Sequence, residues 1–112
     1  MHKFEYRAPR FSVDLPVRLT LQNSTLAGRC REISKEGMRL DLPQPLPADA
    51  CGTVAMSYHE ETLELNVRVA HTGTVQKGLE FLYSSEKERN AVARLIASLA
   101  EGQNRPGPVL LG

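Results

Sequence analysis

The stretch VDLPVRLTL, from Val13 to Leu21, decides the fold. Apolar side chains stand at every second position, and the residues between them are mostly polar. This period of two predicts a β-strand with one face in a hydrophobic core. Pro16 lies on the polar side and cannot donate a ladder hydrogen bond, so we expect a sheet edge or a bulge there. The predicted inward side chains are Val13, Leu15, Val17, Leu19 and Leu21.

Five more segments have strand character and follow one another at short intervals. Several short strands predict a closed or nearly closed antiparallel barrel, because closure leaves no exposed sheet edge. A proline-rich segment, PQPLPADACG at 43–52, predicts a loop between the third and fourth strands. The later predicted strands are TLAGRCREI at 25–33, GMRLDL at 37–42, TVAMSY at 53–58, LELNVRVAH at 63–71 and GLEFLY at 78–83.

After Ser85 the periodicity becomes helical. Ser85 and Glu88 have the spacing of a capping box, and Gly102 stands where a helix would stop. We expect this helix to lie across the barrel and seal an opening. The predicted fold class is therefore mainly β, a six-stranded antiparallel β-barrel with a C-terminal α-helix. The apolar stripe of the helix comprises Ala91, Val92, Leu95, Ile96 and Leu99.

The 112 residues predict one domain. Residues 1–12 are expected to form an extended polar arm. Residues 13–100 are expected to form the barrel and its helix. Residues 101–112 are rich in glycine and proline, and they are expected to be a disordered tail.

The composition narrows the function classes. A net charge of +1 argues against a nucleic-acid polymer bound on a broad basic face, and 5% aromatic residues argue against a base-stacking platform. A small barrel that binds oligonucleotides is therefore kept only as an alternative function, ranked behind two others given at the end of this section. No apolar run approaches the length of a membrane span, and there is no signal-peptide pattern, so we expect no membrane insertion and a cytoplasmic location. Cys30 and Cys51 have no metal-ligand spacing and are expected to be free thiols packed as small apolar residues.

No catalytic motif is present. The sequence lacks HExxH, GxSxG and P-loop patterns, and its three histidines are far apart. We therefore predict a non-catalytic protein without a metal site or cofactor.

Two segments have the chemistry of an anion site. Arg7 and Arg10 lie in YRAPR, just before the first strand, and a guanidinium suits both phosphate oxygens and the O6/N7 edge of guanine. In EISKEG, Ser34 has a hydroxyl for a phosphate, Gly37 allows close backbone approach, and Glu32 can accept hydrogen bonds from guanine. The alternatives are a solvated basic tail for the first segment and an ordinary hairpin turn for the second.

The order of these pieces resembles a PilZ domain, the bacterial receptor module for cyclic di-GMP. The resemblance covers roughly residues 6–100. It rests on the arginine arm before FSVDLPVRL, the serine–glycine turn in EISKEGMRLDL, the proline-containing loop LPQPLPADACG, and GLEF immediately before the helix.

The resemblance implies a ligand site built from an RxxxR arm and a [D/N]xSxxG turn. Here Tyr6 stands at the first arginine position of the arm, Arg7 is one residue late, and Glu32 replaces Asp or Asn. Tyr6 is a possible base-stacking residue. The predicted ligand-binding residues are Arg7, Arg10, Glu32, Ser34 and Gly37.

Two functions follow from the resemblance. One is a cyclic di-GMP receptor whose arm changes conformation on binding and regulates a partner. The alternative is a degenerate adaptor that binds a protein partner without nucleotide. In either case the resemblance implies partners in motility, pilus or exopolysaccharide machinery.

Overall fold

The computed structural model describes residues 9–58 and 60–104, with side chains described as far as residue 100. It contains six strands followed by one helix. The strands are β1 (Phe11–Leu21), β2 (Ser24–Ile33), β3 (Gly37–Asp41), β4 (Cys51–Tyr58), β5 (Glu61–Thr72) and β6 (Gln76–Leu82), and the helix is α1 (Glu86–Asn104).

The strands form a closed antiparallel barrel in the order β1-β2-β3-β6-β5-β4. The predicted fold class is confirmed. β1 closes the barrel because it pairs with β2 on one side and β4 on the other. The β1–β4 seam is close at Gly52, where an added Cβ would lie 2.1 Å from the Thr20 carbonyl oxygen. Only glycine fits this approach without displacing backbone.

The alternation in β1 places its apolar residues as predicted. Val17, Leu19 and Leu21 are buried in the core, and the residues between them are exposed or partly exposed. Pro16 pairs with β2 but stands just before the part of β1 that pairs with β4, which begins at Val17. A register shift between Ser12 and Leu15 precedes it. The expected irregularity is therefore found next to the proline.

Helix α1 covers the core with the predicted stripe. Val92, Leu95, Ile96 and Leu99 are buried in the same cluster as the strand residues. They are brought there by the 3.6-residue period.

The two ends of the helix depart from the prediction in small ways. At the start, the Ser85 Oγ accepts a hydrogen bond from the Glu88 amide at 3.3 Å, and the Glu88 carboxylate accepts one from the Ser84 amide at 2.8 Å. The reciprocal bond of the capping box thus reaches one residue further back than Ser85. At the other end the helix continues to Asn104, so the predicted stop at Gly102 is wrong.

Some predicted boundaries also shift. β1 begins at Phe11, so residues 11 and 12 of the predicted arm are part of the sheet. Residues 101–104 of the predicted tail are helical. Residues 1–8 and 105–112 lie outside the described part of the chain.

The two cysteines differ in environment. Cys30 is fully buried, and burial raises the pKa of its thiol to about 12, as expected for a packed, unreactive side chain. Cys51 is exposed, so the prediction that it packs as an apolar residue is wrong. It is the first residue of β4, and its strand partner Arg68 points away from the core as well.

A buried lysine holds one end of the barrel. Lys77 in β6 is only 1% exposed, and its Nζ donates hydrogen bonds to the carbonyl oxygens of Leu42 at 2.7 Å and Thr74 at 3.0 Å. Nearby, the Leu42 amide donates to the Val75 carbonyl at 2.8 Å. Together these bonds tie the end of β3 to the β5–β6 turn. The ammonium group replaces its lost hydration with carbonyl partners.

We expect Lys77→Met to lower the free energy of unfolding by about 1.5–3 kcal/mol, because it retains the apolar stem but removes the charged donor from two carbonyls. Urea denaturation of the purified domain measures this. Lys87→Met is the matched control, since Lys87 is exposed on α1 and methionine has nearly the helix propensity of lysine. Equal stability of the two variants would contradict the role given to Lys77.

Candidate functional site

The turn between β2 and β3 is held by Ser34. Ser34 is 0% exposed, and its amide donates to the Gly37 carbonyl at 2.9 Å. Its Oγ accepts a hydrogen bond from the Glu36 amide at 3.1 Å and lies 3.5 Å from the Gly37 carbonyl oxygen. The serine hydroxyl therefore makes the local turn contacts that a short polar side chain favours. Gly37 is buried and begins β3 opposite Glu80 of β6.

Hydrogen bonds also attach this turn to β6 and to the short segment between β6 and α1. The Phe81 amide donates to the Glu36 carbonyl at 2.9 Å, and the Tyr83 hydroxyl donates to the Lys35 carbonyl at 2.6 Å. The guanidinium of Arg89, on the first turns of α1, lies 4.5 Å from the centre of the Tyr83 ring. This cation–π contact joins the turn to the helix through one tyrosine.

An extra residue in β2 determines which side chains face outward here. Cys30 and Ile33 both point into the core, although they are three residues apart. The register with β3 shifts between Cys30 and Glu32, so Arg31 and Glu32 both lie on the outer side of the barrel. Such a bulge re-aims side chains at the surface.

Glu32 stands between two arginines. Its Oε1 lies 3.5 Å from Nη1 of Arg10, and its Oε2 lies 3.4 Å from Nη2 of Arg39, its direct partner on β3. The Glu32 side chain is 23% exposed, against 48% for Arg10 and 36% for Arg39. The carboxylate therefore joins Arg10, just before β1, to Arg39, the third residue of β3.

A second group of charges lies beside the first. Asp14 of β1 contacts Arg29 at 2.6 Å and Arg31 at 3.2 Å, and Arg31 also lies 3.4 Å from Asp41. The hydrogen bond from Arg29 is the main cause that lowers the pKa of the Asp14 carboxyl. These pairs are solvent-exposed, so they contribute little to stability but fix the arrangement of charges on this face.

Arg10 and the outward residues of β1, β2 and β3 that these ion pairs connect form a charged cluster, which we name the arginine face. Arg18, further along β1, is not part of it. The arginine face contains four guanidinium groups and three carboxylates. Its charges are concentrated on a small area of the barrel, with one more cation than anions. Its charged residues are Arg10, Asp14, Arg29, Arg31, Glu32, Arg39 and Asp41.

A surface pocket of about 280 Å³ adjoins this region on the helix side. It is lined by Pro9 and Phe11 at the start of β1, by Lys35 of the turn, and by three residues of α1. The chain entering the barrel, the turn and the helix thus meet at one place.

Of the predicted site residues, the structure brings Arg10, Glu32, Ser34 and Gly37 to one region. Arg7 and Tyr6 lie outside the described residues. Arg39 and Tyr83 are not among the residues predicted from the sequence. Arg39 was accessible to pattern reasoning, since Met38 and Leu40 point inward and the turn places it across from Glu32. Tyr83 had no such signal, because its contact with Lys35 joins residues 48 positions apart.

Within the described residues, no group of three or more His, Cys, Asp or Glu side chains is arranged to hold a metal ion. In the same part of the chain, no helix has the length and apolar character to cross a membrane.

We expect Tyr83→Phe to lower the free energy of unfolding by about 0.5–1.5 kcal/mol near neutral pH, because the Lys35 carbonyl loses its donor. Burial is the main cause that raises the Tyr83 pKa from 10.0 to about 12. Between these values the unfolded chain releases the phenolic proton while the folded chain keeps it, so wild-type stability falls as pH rises. The gap between wild type and variant should therefore narrow above pH 10.

Chemical denaturation of both proteins over this pH range measures the gap. Other titrating groups are common to the two proteins and cancel in the difference. A gap that widens above pH 10 would contradict this account of Tyr83.

Solved structures of other proteins share the fold. The PilZ domain of CeSA from a cellulose-synthesising bacterium has a TM-score of 0.74 and 18% identity, over 83% of this chain and 99% of that one. The PilZ domain of YcgR from Escherichia coli, solved with c-di-GMP, has a TM-score of 0.74 and 18% identity, over 89% of this chain and 95% of that one.

A third similar structure is the inhibitor of motility MotI/DgrA from Bacillus subtilis. It has a TM-score of 0.74 and 12% identity, over 91% of this chain but only 54% of that one. No sequence among the curated proteins matches the chain significantly. The family model of the PilZ domain matches residues 6–98, nearly the whole described barrel and helix, and the chain therefore belongs to the PilZ family of non-catalytic domains.

Proposed function

We propose that this PilZ domain binds cyclic di-GMP on the arginine face and that binding regulates a protein partner. The observation that carries the proposal is the contact between Arg10 and Glu32 at 3.5 Å, beside the Ser34 turn. It joins the arm and the turn, the two segments in which the family motifs lie. The PilZ family match supports the choice of ligand.

Each proposed residue has a role that its chemistry allows. The planar fork of Arg10 binds phosphate oxygens or the O6/N7 edge of guanine. Glu32 accepts hydrogen bonds from the N1 and exocyclic amine of guanine. Ser34 and Gly37 fix the turn so that its backbone lies close to the ligand. Arg7 and Tyr6 complete the proposed site from the arm, with a guanidinium for phosphate and a ring for stacking.

The charge distribution favours a small anion over a nucleic-acid polymer. The chain carries a net charge of only +1, so a long phosphate backbone gains little from it. The arginine face has one more cation than anions, with charges arranged at short distances. A compact ligand with two phosphates suits this local field. We place the domain in the cytoplasm as part of the same proposal.

Arg10→Ala is expected to weaken cyclic di-GMP binding by about 10- to 100-fold, because a charge-assisted hydrogen bond to the ligand is lost. Titration calorimetry measures the dissociation constant. Arg18→Ala is the matched control, since Arg18 is an exposed outward arginine of β1 whose strand partners are Ala27 and Ala55. It should bind as the wild type does.

Two results would count against the proposal. Absence of binding heat with the wild-type domain would remove cyclic di-GMP as the ligand. Equal affinities of the wild type and Arg10→Ala would move the ligand away from the arginine face.

The proposed partner belongs to motility, pilus or exopolysaccharide machinery. Ligand binding would order the arm against the barrel and change the surface offered to that partner. The Tyr83 contacts with Lys35 and Arg89 give a route by which the turn and α1 respond together. A coupling of a few kcal/mol is enough for such a response.

A second candidate is an adaptor that binds its partner without nucleotide. One observation favours it: Glu32, in the motif position, has both carboxylate oxygens near arginines of the domain itself. An arm arginine already paired in this way has less to gain from a ligand.

The two candidates predict different pull-downs. A receptor should recover its partner in an amount that changes when cyclic di-GMP is added, and Arg10→Ala should remove the change. An adaptor should recover the same partner with or without the nucleotide, and Arg10→Ala should leave the yield unaffected.

A further inference from the structure

Arg39 differs from the other arginines of β2 and β3. Arg29 and Arg31 contact aspartates at 2.6–3.4 Å. Arg39 has a contact of 3.4 Å from its Nη2 to the Glu32 carboxylate, while its Nε is buried and makes no hydrogen bond within the described part of the chain.

A buried N–H without a partner costs free energy, so its presence needs an explanation, and a bound oxyanion is one. In an arginine, Nε–H and one N–H of Nη2 point in the same direction and form a two-pronged fork for an oxyanion. At Arg39 this fork is half used, with Nη2 near Glu32 and Nε unpaired. The arrangement has the donors that a phosphate group requires.

The neighbouring strand offers Arg39 no side-chain partner at the paired position. Its partner on β6 is Gly78, which has no side chain, and Gly78 in turn pairs with the exposed His71 of β5. A Cβ at Gly78 would lie 3.2 Å from the His71 Cβ, so a larger residue there would crowd His71. The β6 residue beside Arg39 is thus a buried glycine, which has no side chain to occupy the guanidinium.

We propose that Arg39 contacts a phosphate of the bound ligand and supplies the second guanidinium that the arm lacks at Tyr6. This inference rests on the proposed cyclic di-GMP function. Arg10 and Arg39 approach the two oxygens of one carboxylate, at 3.5 and 3.4 Å, so the two cations flank the same point on the barrel. A ligand lying over Glu32 meets one guanidinium from each side.

The competing role is structural: Arg39 could serve only to hold Glu32 in place across the β2–β3 pair. Cross-strand ion pairs of this kind are common, and they affect a ligand only through the partner residue. The two roles differ in what happens when the Glu32 carboxylate is removed.

The first experiment titrates cyclic di-GMP into Arg39→Ala and Arg39→Lys. Direct contact predicts affinity losses of about 10- to 100-fold for the alanine variant, and a clear loss for the lysine variant, which keeps the charge but has no fork. Arg18→Ala again serves as the control that retains wild-type affinity. If Arg39→Ala does not fold, the lysine variant decides.

The second experiment repeats Arg39→Ala in a Glu32→Gln background as a double-mutant cycle. A direct phosphate contact predicts that Arg39→Ala still weakens binding there. A loss of affinity that disappears in the Glu32→Gln background would overturn the proposal and leave Arg39 as a positioning residue.

The failures of the two proposals can be distinguished. A wild-type domain that gives no binding refutes the proposed function and this inference with it. A wild type that binds and an Arg10→Ala variant that is weakened, with Arg39→Ala and Arg39→Lys both at wild-type affinity, refutes the role of Arg39 alone.

Discussion

The extra residue in β2 is the constraint on which the arginine face depends. Both Cys30 and Ile33 must reach the core, so the two residues between them have to share the outer side. The Cys30 thiol donates to the Glu32 carbonyl at 3.3 Å, a local bond within this irregular stretch. In a regular strand Glu32 would alternate with Arg31 and point inward. The bulge therefore puts the motif carboxylate on the surface, directly opposite Arg39.

The turn that follows connects this surface to the rest of the molecule. Ser34 is bonded inside the turn, while the carbonyls of Lys35 and Glu36 accept bonds from Tyr83 and Phe81. These hydrogen bonds, donated by residues at and just after the end of β6, hold the turn against the barrel. The turn is therefore linked to the start of α1, where Arg89 contacts the Tyr83 ring.

Alternation in the sequence was sufficient to predict the barrel, since each strand buries one face and β1 and β5 repeat that pattern over many residues. It was insufficient where the pattern breaks. The bulge in CREI is visible only from the pairing with β3. The burial of Lys77 could not be inferred from its polar side chain. The motif residues Glu32, Ser34 and Gly37 were predicted from the order of the motifs along the chain. Tyr83 required three-dimensional contacts, because its partner is distant in sequence.

The glutamate in the motif position and the arginine on β3 are physically linked. The Glu32 carboxylate lies 3.5 Å from Arg10 and 3.4 Å from Arg39, so it has to reach side chains that come from two different segments. Aspartate is one methylene shorter and would approach one arginine at the expense of the other. The departure from Asp or Asn is thus suited to a face where guanidinium groups come from both sides. Glu32 keeps these two cations close together in spite of their mutual repulsion.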